Sequence, residues 1–300
     1  ADIVRRAMGK KQIDYMKQKA EEFAEGAVKQ GLGRDHAIEL FGLIEKFAGY
    51  GFNKSHSAAY AMITFQTAYL KCYYAEEFMA ALLTSEQDNT DKVVKYIDEV
   101  KRLGIKLLPP SIQKSLVEFS AFEDAEGNEA ILFGLGAIKG VGNAAISKIL
   151  EARADAPFSD MSDFISRIDS SKVNKKVLES FIKSGSFDDF GLSSRALLEG
   201  IDAIIEASGE CSRAKKMAES SLFGDDSEMV TVRVNIENLP EYEPKRLLEL
   251  EKETIGFYIS GHPLDAFRAE IGDIHYTLSS EKDQIEDGSK ALFIGKVAAI

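Results

Sequence analysis

Apolar residues recur at helical spacing through residues 11–49. Ile13, Met16, Ala20, Phe23, Ala24 and Ala27 form one run, and Ile38, Phe41, Ile44 and Phe47 resume it after the breaker Gly31-Leu32-Gly33. Gly49-Tyr50-Gly51-Phe52 reads as a loop, and Ala58 to Leu83 as one long apolar helix with Phe65, Tyr69, Tyr73, Phe78 and Met79 as core residues. A further amphipathic helix is predicted over Thr90 to Leu103, closed by Gly104, and the paired prolines Pro109-Pro110 end that first unit. Residues 116–133 alternate around Glu126-Gly127-Asn128, which predicts a small β-hairpin. Helices are expected again over Asn143–Arg153, Met161–Ile168, Lys172–Ser184 and Ser193–Ser208. Residues 209–230 are polar and read as mobile, residues 237–253 are rich in Glu, Thr254 to Ile259 reads as a short helix or turn, and residues 291–300 as a strand. A lone edge strand cannot bury itself, so a domain is expected to have been cut there. The lack of an initiator Met also fits an internal fragment, although processing explains it equally well.

Length and composition refine this picture. The chain has 300 residues, 45% of them hydrophobic, enough for about two domains. No apolar run can span a bilayer and no signal-peptide pattern opens the chain, so a cytoplasmic protein without a membrane partner is expected. The two cysteines, Cys72 and Cys211, make neither a disulfide framework nor a zinc site, and the four histidines are scattered. Net charge is -12, a poor match to a nucleic-acid binder until its distribution is considered. Residues 1–60 carry 10 basic against 8 acidic side chains, whereas residues 201–300 carry 11 against 20. The acidity is thus concentrated in the last third, and basic groups remain free to cluster where phosphates sit.

The strongest chemical signal is Gly134-Leu-Gly-Ala-Ile-Lys139-Gly140-Val141-Gly142-Asn143, followed by a helical run through Lys148. Short helix, Gly-Val-Gly turn, helix is the helix-hairpin-helix pattern. Its glycines allow a tight turn that exposes main-chain N–H groups at a helix start, where a phosphate oxygen binds without reading base identity. A second, degenerate hairpin is expected at Lys172 to Phe187, with Lys172, Lys175 and Lys176 beside the backbone. The bland alternative is a glycine-rich turn without a ligand. A dinucleotide-binding reading fails because Lys139 stands where a third glycine is needed.

A second constellation is Phe47-Ala-Gly-Tyr50-Gly-Phe52-Asn53-Lys54-Ser55-His56-Ser57-Ala-Ala-Tyr60-Ala61, a glycine loop placed before a long helix. Lys54 offers charge, Ser55 or Ser57 can cap the helix, and His56 can donate to a phosphate or ribose oxygen. A plain helix cap with a satisfied loop histidine is the competing explanation.

Together with Arg5-Arg6-Ala-Met-Gly-Lys10-Lys11, Asp88-Asn-Thr-Asp-Lys-Val-Val94, Leu107-Leu-Pro-Pro110, Lys183-Ser-Gly-Ser-Phe-Asp188 and Thr254-Ile-Gly-Phe-Tyr-Ile-Ser-Gly-His-Pro263, these blocks occur in order along the whole chain. In them the chain resembles the alpha subunit of bacterial DNA polymerase III, the replicative C-family polymerase, from its fingers to the start of an OB domain. The resemblance implies a mainly α fold: helical fingers, a helix-hairpin-helix domain, a small β-hairpin between them, and a truncated OB-like strand at the C-terminus. It implies domains at 1–110 (partial fingers), 111–208 (tandem helix-hairpin-helix, binding duplex DNA), 209–253 (mobile linker) and 254–300 (connection and start of the OB domain). Arg5, Arg6, Asn53, Lys54, Ser55 and His56 would face the incoming nucleotide, with Lys10 and Lys11 as helpers. Lys139, Gly140, Val141, Gly142, Lys148, Lys172, Lys175 and Lys176 would grip duplex DNA. Glu219-Ser220-Ser221-Leu222-Phe223 occupies the place of the family's sliding-clamp motif, with Glu219 where Gln is usual.

The implied partners are primer-template DNA, dNTP, the sliding clamp and other holoenzyme subunits. The implied cofactor is Mg2+, bound by palm aspartates that lie outside this fragment, because no strand-borne Asp-x-Asp is found here. Asp188-Asp189 and Asp225-Asp226 read instead as solvated charge. The parent activity would be DNA-directed DNA polymerase, with the isolated fragment inactive. The main rival, a non-catalytic helix-hairpin-helix scaffold, leaves the Phe47–Ala61 block unexplained. A hydrolase using His56 as base lacks a partnered nucleophile.

Overall fold

The computed structural model describes residues 19–50, 54–123, 126–168, 172–220, 232–272, 274–277 and 285–295. Two compact units divide between Tyr69 and Leu70.

In the first unit, α1 (Ala20–Lys29) and α2 (Arg34–Tyr50) flank Gly31, whose φ of 90° lets the chain reverse. They share a small core of Ala24, Ala37 and Phe41, with the Phe23 and Phe41 rings 5.2 Å apart. The loop expected from Gly49 does not begin there, because α2 continues through Tyr50. Helix α3 (Lys54–Tyr73) then crosses the boundary between the units without burying a single residue. Phe65 and Tyr73 are each 67% exposed and Tyr69 is 47% exposed, so the expectation that they form core is corrected. The long predicted helix also breaks at Tyr74 (φ -142°, ψ 55°), giving α4 (Ala75–Ser85), where Met79 and Leu83 are fully buried.

In the second unit, α5 (Thr90–Arg102) starts on Asn89, whose side chain accepts from Lys92 N. It ends at Gly104, φ 78°, with the N–H groups of Gly104 and Ile105 donating to Lys101 O and Val100 O. Val93, Ile97 and Val100 are its buried stripe. The expected hairpin forms as β2 (Ser120–Glu123) and β3 (Glu129–Leu132). A further strand, β1 (Lys106–Leu108), pairs parallel to β3, giving the order β1-β3-β2 with Leu107 and Ala121 both opposite Ile131. The sequence reading missed β1 because three residues before a proline pair carry no alternation.

Helices α6 (Asn143–Asp155), α7 (Met161–Arg167), α8 (Lys175–Lys183) and α9 (Ser194–Glu199) follow. Phe164 lies 5.1 Å from both Phe158 and Phe187, edge-on, at the centre of their core. Burial of such a ring stabilises by about 1.5–3 kcal/mol. Arg153 donates to Ile112 O and Ser115 O, and Arg167 to Ala156 O and Asp163, so both arginines are internal ties.

Helix α10 (Ile201–Ser220) runs past the expected end at Ser208, since Cys211 still reaches the core. Residues 232–243, expected as linker, form an extended strap whose Val232, Val234 and Ile236 pack on the core. Its Glu241 carboxylate accepts from Ser194 N and Arg195 N at the start of α9. Helix α11 (Pro244–Ile255) closes on Gly256 at φ 100°, and short α12 (Arg268–Ile271) follows. Residues 291–295 form no strand: Thr277 N donates to Leu292 O, and no neighbouring strand completes a ladder among the described residues. Among those residues no helix is long and apolar enough to cross a membrane, and no disulfide joins Cys72 to Cys211.

Candidate nucleic-acid interface

The first hairpin is built from a one-turn 3-10 helix (Leu135–Ala137), a turn at 138–142, and α6. The four glycines have separate jobs. A Cβ at Gly134 would lie 2.5 Å from the Glu118 carbonyl carbon, and one at Gly136 would lie 2.9 Å from Val117 O. Those two glycines therefore seat the hairpin on 116–119, where Leu135 N and Gly136 N donate to Leu116 O and Val117 O. Gly140 alone of the four has positive φ, 84°, which makes the reversal. Its α-carbon rests on α8: a Cβ there would meet Ser180 Oγ at 3.1 Å and Lys176 Cε at 3.9 Å. Gly142 is the N-cap of α6 and offers no capping side chain. Among the described residues the amides of Gly142, Asn143 and Ala144 donate to no backbone oxygen. They are the orphan donors of a helix start, open to an anion.

The remaining members of the set divide. Val141 packs half-buried on the core, and its amide closes the turn on Ile138 O at 3.3 Å. Lys139 N donates to Thr254 O at 2.8 Å, and its ammonium lies over Gly256. Lys148 pairs with Glu151 and Lys175 with Asp202, both exposed pairs that are weak and readily exchanged for phosphate. Lys172 and Lys176 are exposed and form no ion pair among the described residues. In the stretch read as a second hairpin, residues 172–174 lead into α8. Asn174 caps α8 by accepting from Val177 N, and Lys175 and Lys176 sit in its first turn. The structure thus brings Gly140 and Lys176 together, with Lys139 beside the end of α11.

At the other constellation, Lys54, Ser55 and His56 lie exposed in the first turn of α3, with the His56 ring 4.4 Å from that of Tyr60. Ser55 and Ser57 lie inside the helix, which begins at Lys54, so neither is its cap. Arg5, Arg6, Lys10, Lys11, Asn53, Ser221, Leu222 and Phe223 lie outside the described residues. Glu219 and Ser220 form the backbone end of α10.

Sequence reasoning underestimated three acidic groups. Asp189 is bonded to Ser111 Oγ and Lys114 Nζ, so it is more than solvated charge. Desolvation, then the charges of Glu241, Asp189 and Glu251, pushes the Asp188 carboxyl up to about 6. Buried Glu251 is raised by burial, against hydrogen bonds from Ser260 N, Ser260 Oγ and Ile259 N.

Residues 104–197 match the helix-hairpin-helix motif family, which defines the class of this region. Over 298 residues, 99% of its length, the chain is 52% identical to DNA polymerase III subunit alpha of Campylobacter jejuni. It is 46% identical to that of Helicobacter pylori over the whole chain, and 42% identical to that of Escherichia coli over 90% of it. The chain spans about a quarter of the length of these relatives (25%, 26% and 23%). It is therefore homologous, along essentially its entire length, to a segment of bacterial DNA polymerase III alpha subunits.

Proposed function

We propose that this chain is the part of a replicative DNA-directed DNA polymerase that holds substrates rather than transforms them. The observation that carries this reading is the first hairpin: an αL glycine, Gly140, lying against Lys176, which forms no ion pair among the described residues, followed by uncapped amides at the start of α6. Amides and helix dipole hold a phosphate oxygen regardless of sequence, as a template-independent grip requires. Asn174 and the first turn of α8 supply a second grip on the duplex, with Lys172 and Lys175. Lys54, Ser55 and His56, with Asn53, Arg5 and Arg6, form the nucleotide-facing set. Glu219 to Phe223 is the clamp tether, in the company of other holoenzyme subunits.

Among the described residues no three His, Cys, Asp or Glu side chains come together to hold a metal. The Mg2+ of a polymerase has no fitting cluster there, and we assign it to a palm beyond these 300 residues.

Duplex-DNA titrations of the chain across a salt series test the grip. Expected is affinity that falls steeply with salt, at a slope of about -0.9 per phosphate contact. Absence of duplex binding at low salt would overturn it. Primer extension by the purified chain, surviving controls for contaminating polymerase, would overturn the division between holding and catalysis.

A further inference from the structure

The DNA-gripping hairpin does not stand on its own two helices. Its turn is joined to the C-terminal end of α11, more than a hundred residues later in sequence, by the backbone and the side chain of Lys139. Lys139 N donates to Thr254 O at 2.8 Å, fixing the height of the turn over the helix end. The Lys139 side chain folds the same way: a Cβ built at Gly256 would lie 2.9 Å from Lys139 Nζ and 3.4 Å from its Cε. A cation there meets the negative end of the helix dipole. Gly256 is also at φ 100°, so both its backbone and its missing side chain make room for the ammonium. On the second grip, Lys183 at the end of α8 pairs with Glu253 of α11 at 2.8 Å. The chain beyond is anchored in turn. The buried Glu251 carboxylate accepts from Ile259 N, Ser260 N and Ser260 Oγ, which fixes the path of the chain after Gly256.

We propose that the end of α11 is a strut that sets the hairpin for DNA, with Lys139 and Gly256 as positioning residues rather than phosphate contacts. This rests on the DNA-gripping reading above. Lys139 is itself exposed, and with its ammonium beside the helix end it orients the turn whose amides meet the duplex. Lys176, exposed beside Gly140, is the phosphate-facing counterpart.

The two roles differ in salt dependence. Duplex binding by the full 300-residue chain is measured by fluorescence anisotropy between about 50 and 200 mM salt, well below the unfolding temperature. Lys176→Met is expected to reduce the magnitude of the salt slope by about 0.9, the loss of one phosphate contact. Lys139→Met is expected to weaken binding about fivefold while leaving the slope unchanged, as a positioning residue does. Lys139→Arg should restore binding. Gly256→Ala, which displaces the ammonium and strains the turn, should copy Lys139→Met. A slope loss of about 0.9 in Lys139→Met would make Lys139 a phosphate contact and overturn the strut. Unchanged affinity with only a lowered melting temperature would reduce it to ordinary packing and overturn it equally. Failure of the wild-type chain to bind duplex would instead overturn the DNA reading itself, and the strut with it.

Discussion

Helices α3 and α8 make an instructive pair. Both are rich in apolar residues, yet α8 buries Val177, Leu178, Ser180, Phe181 and Ile182 out of nine residues, and α3 buries none out of twenty. The difference lies in pattern and flanks. In α8 the apolar positions fall on one face, the opposite face is Lys175, Lys176, Glu179 and Lys183, and Asn174 caps the start. In α3 the stripe Met62, Phe65, Tyr69 and Tyr73 is joined by Tyr60, Ile63 and Leu70 on adjoining sides. A helix that is apolar nearly all round is a helix made to be covered. Apolar content therefore indicates how much surface a segment is prepared to lose, and the polar complement indicates whether its own neighbours take it.

Substitutions can break or sharpen this contrast. The largest effect is expected at Gly134, where a methyl group would run into the backbone of Glu118 and Val117. Gly134→Ala should cost more than about 4 kcal/mol or abolish folding of the second unit, as read by chemical denaturation. Ile146 is fully buried in α6, and Ile146→Val should cost about 0.5–1.5 kcal/mol. Next is a pH effect beside the end of α8. The Asp188 carboxyl is raised from 3.8 to about 6, so the folded state holds its proton more tightly than the unfolded state does. Stability should thus fall as pH rises from about 4 through 6, and Asp188→Asn should flatten that slope in pH-dependent melting. Glu99 behaves oppositely, because hydrogen bonds from Arg102 and Lys71 hold it at about 2. Its contribution is present above the ordinary carboxylate range and is lost on acidification. The smallest effect is expected on α3: Phe65→Ala should change stability by no more than about 0.5 kcal/mol. A loss of several kcal/mol there would mean that the exposed stripe is buried in solution.

Much of the second unit was legible in the chain. The Gly-Val-Gly turn, the β2–β3 hairpin and α5 follow from local signals: glycine, turn residues, an Asx cap and an apolar period. What escaped was set by partners distant in sequence. β1 is a strand because β3 lies beside it, and Val232, Val234 and Ile236 alternate because a core waits for them. The site divided the same way. Gly140 lies against Lys176, but nothing near Lys139 in the sequence announces Thr254 or Gly256. Arg153 and Arg167 are taken up by carbonyl groups of their own domain.

The order of the small sheet carries a consequence for how the molecule comes into being. Its central strand is β3, the last of the three to be made. Until Leu132 has left the ribosome, Lys106–Leu108 has no ladder to join, and neither does Ser120–Glu123. Loop closure must precede any reward from pairing, so the sheet is a late, all-at-once event. Helix α4, which packs on β2 and β3 and buries Met79 and Leu83, must therefore wait for strands synthesised after it. Until then the apolar face of α4 is open to chaperone capture, and a pause in translation just before Glu129 is expected to lengthen that exposure.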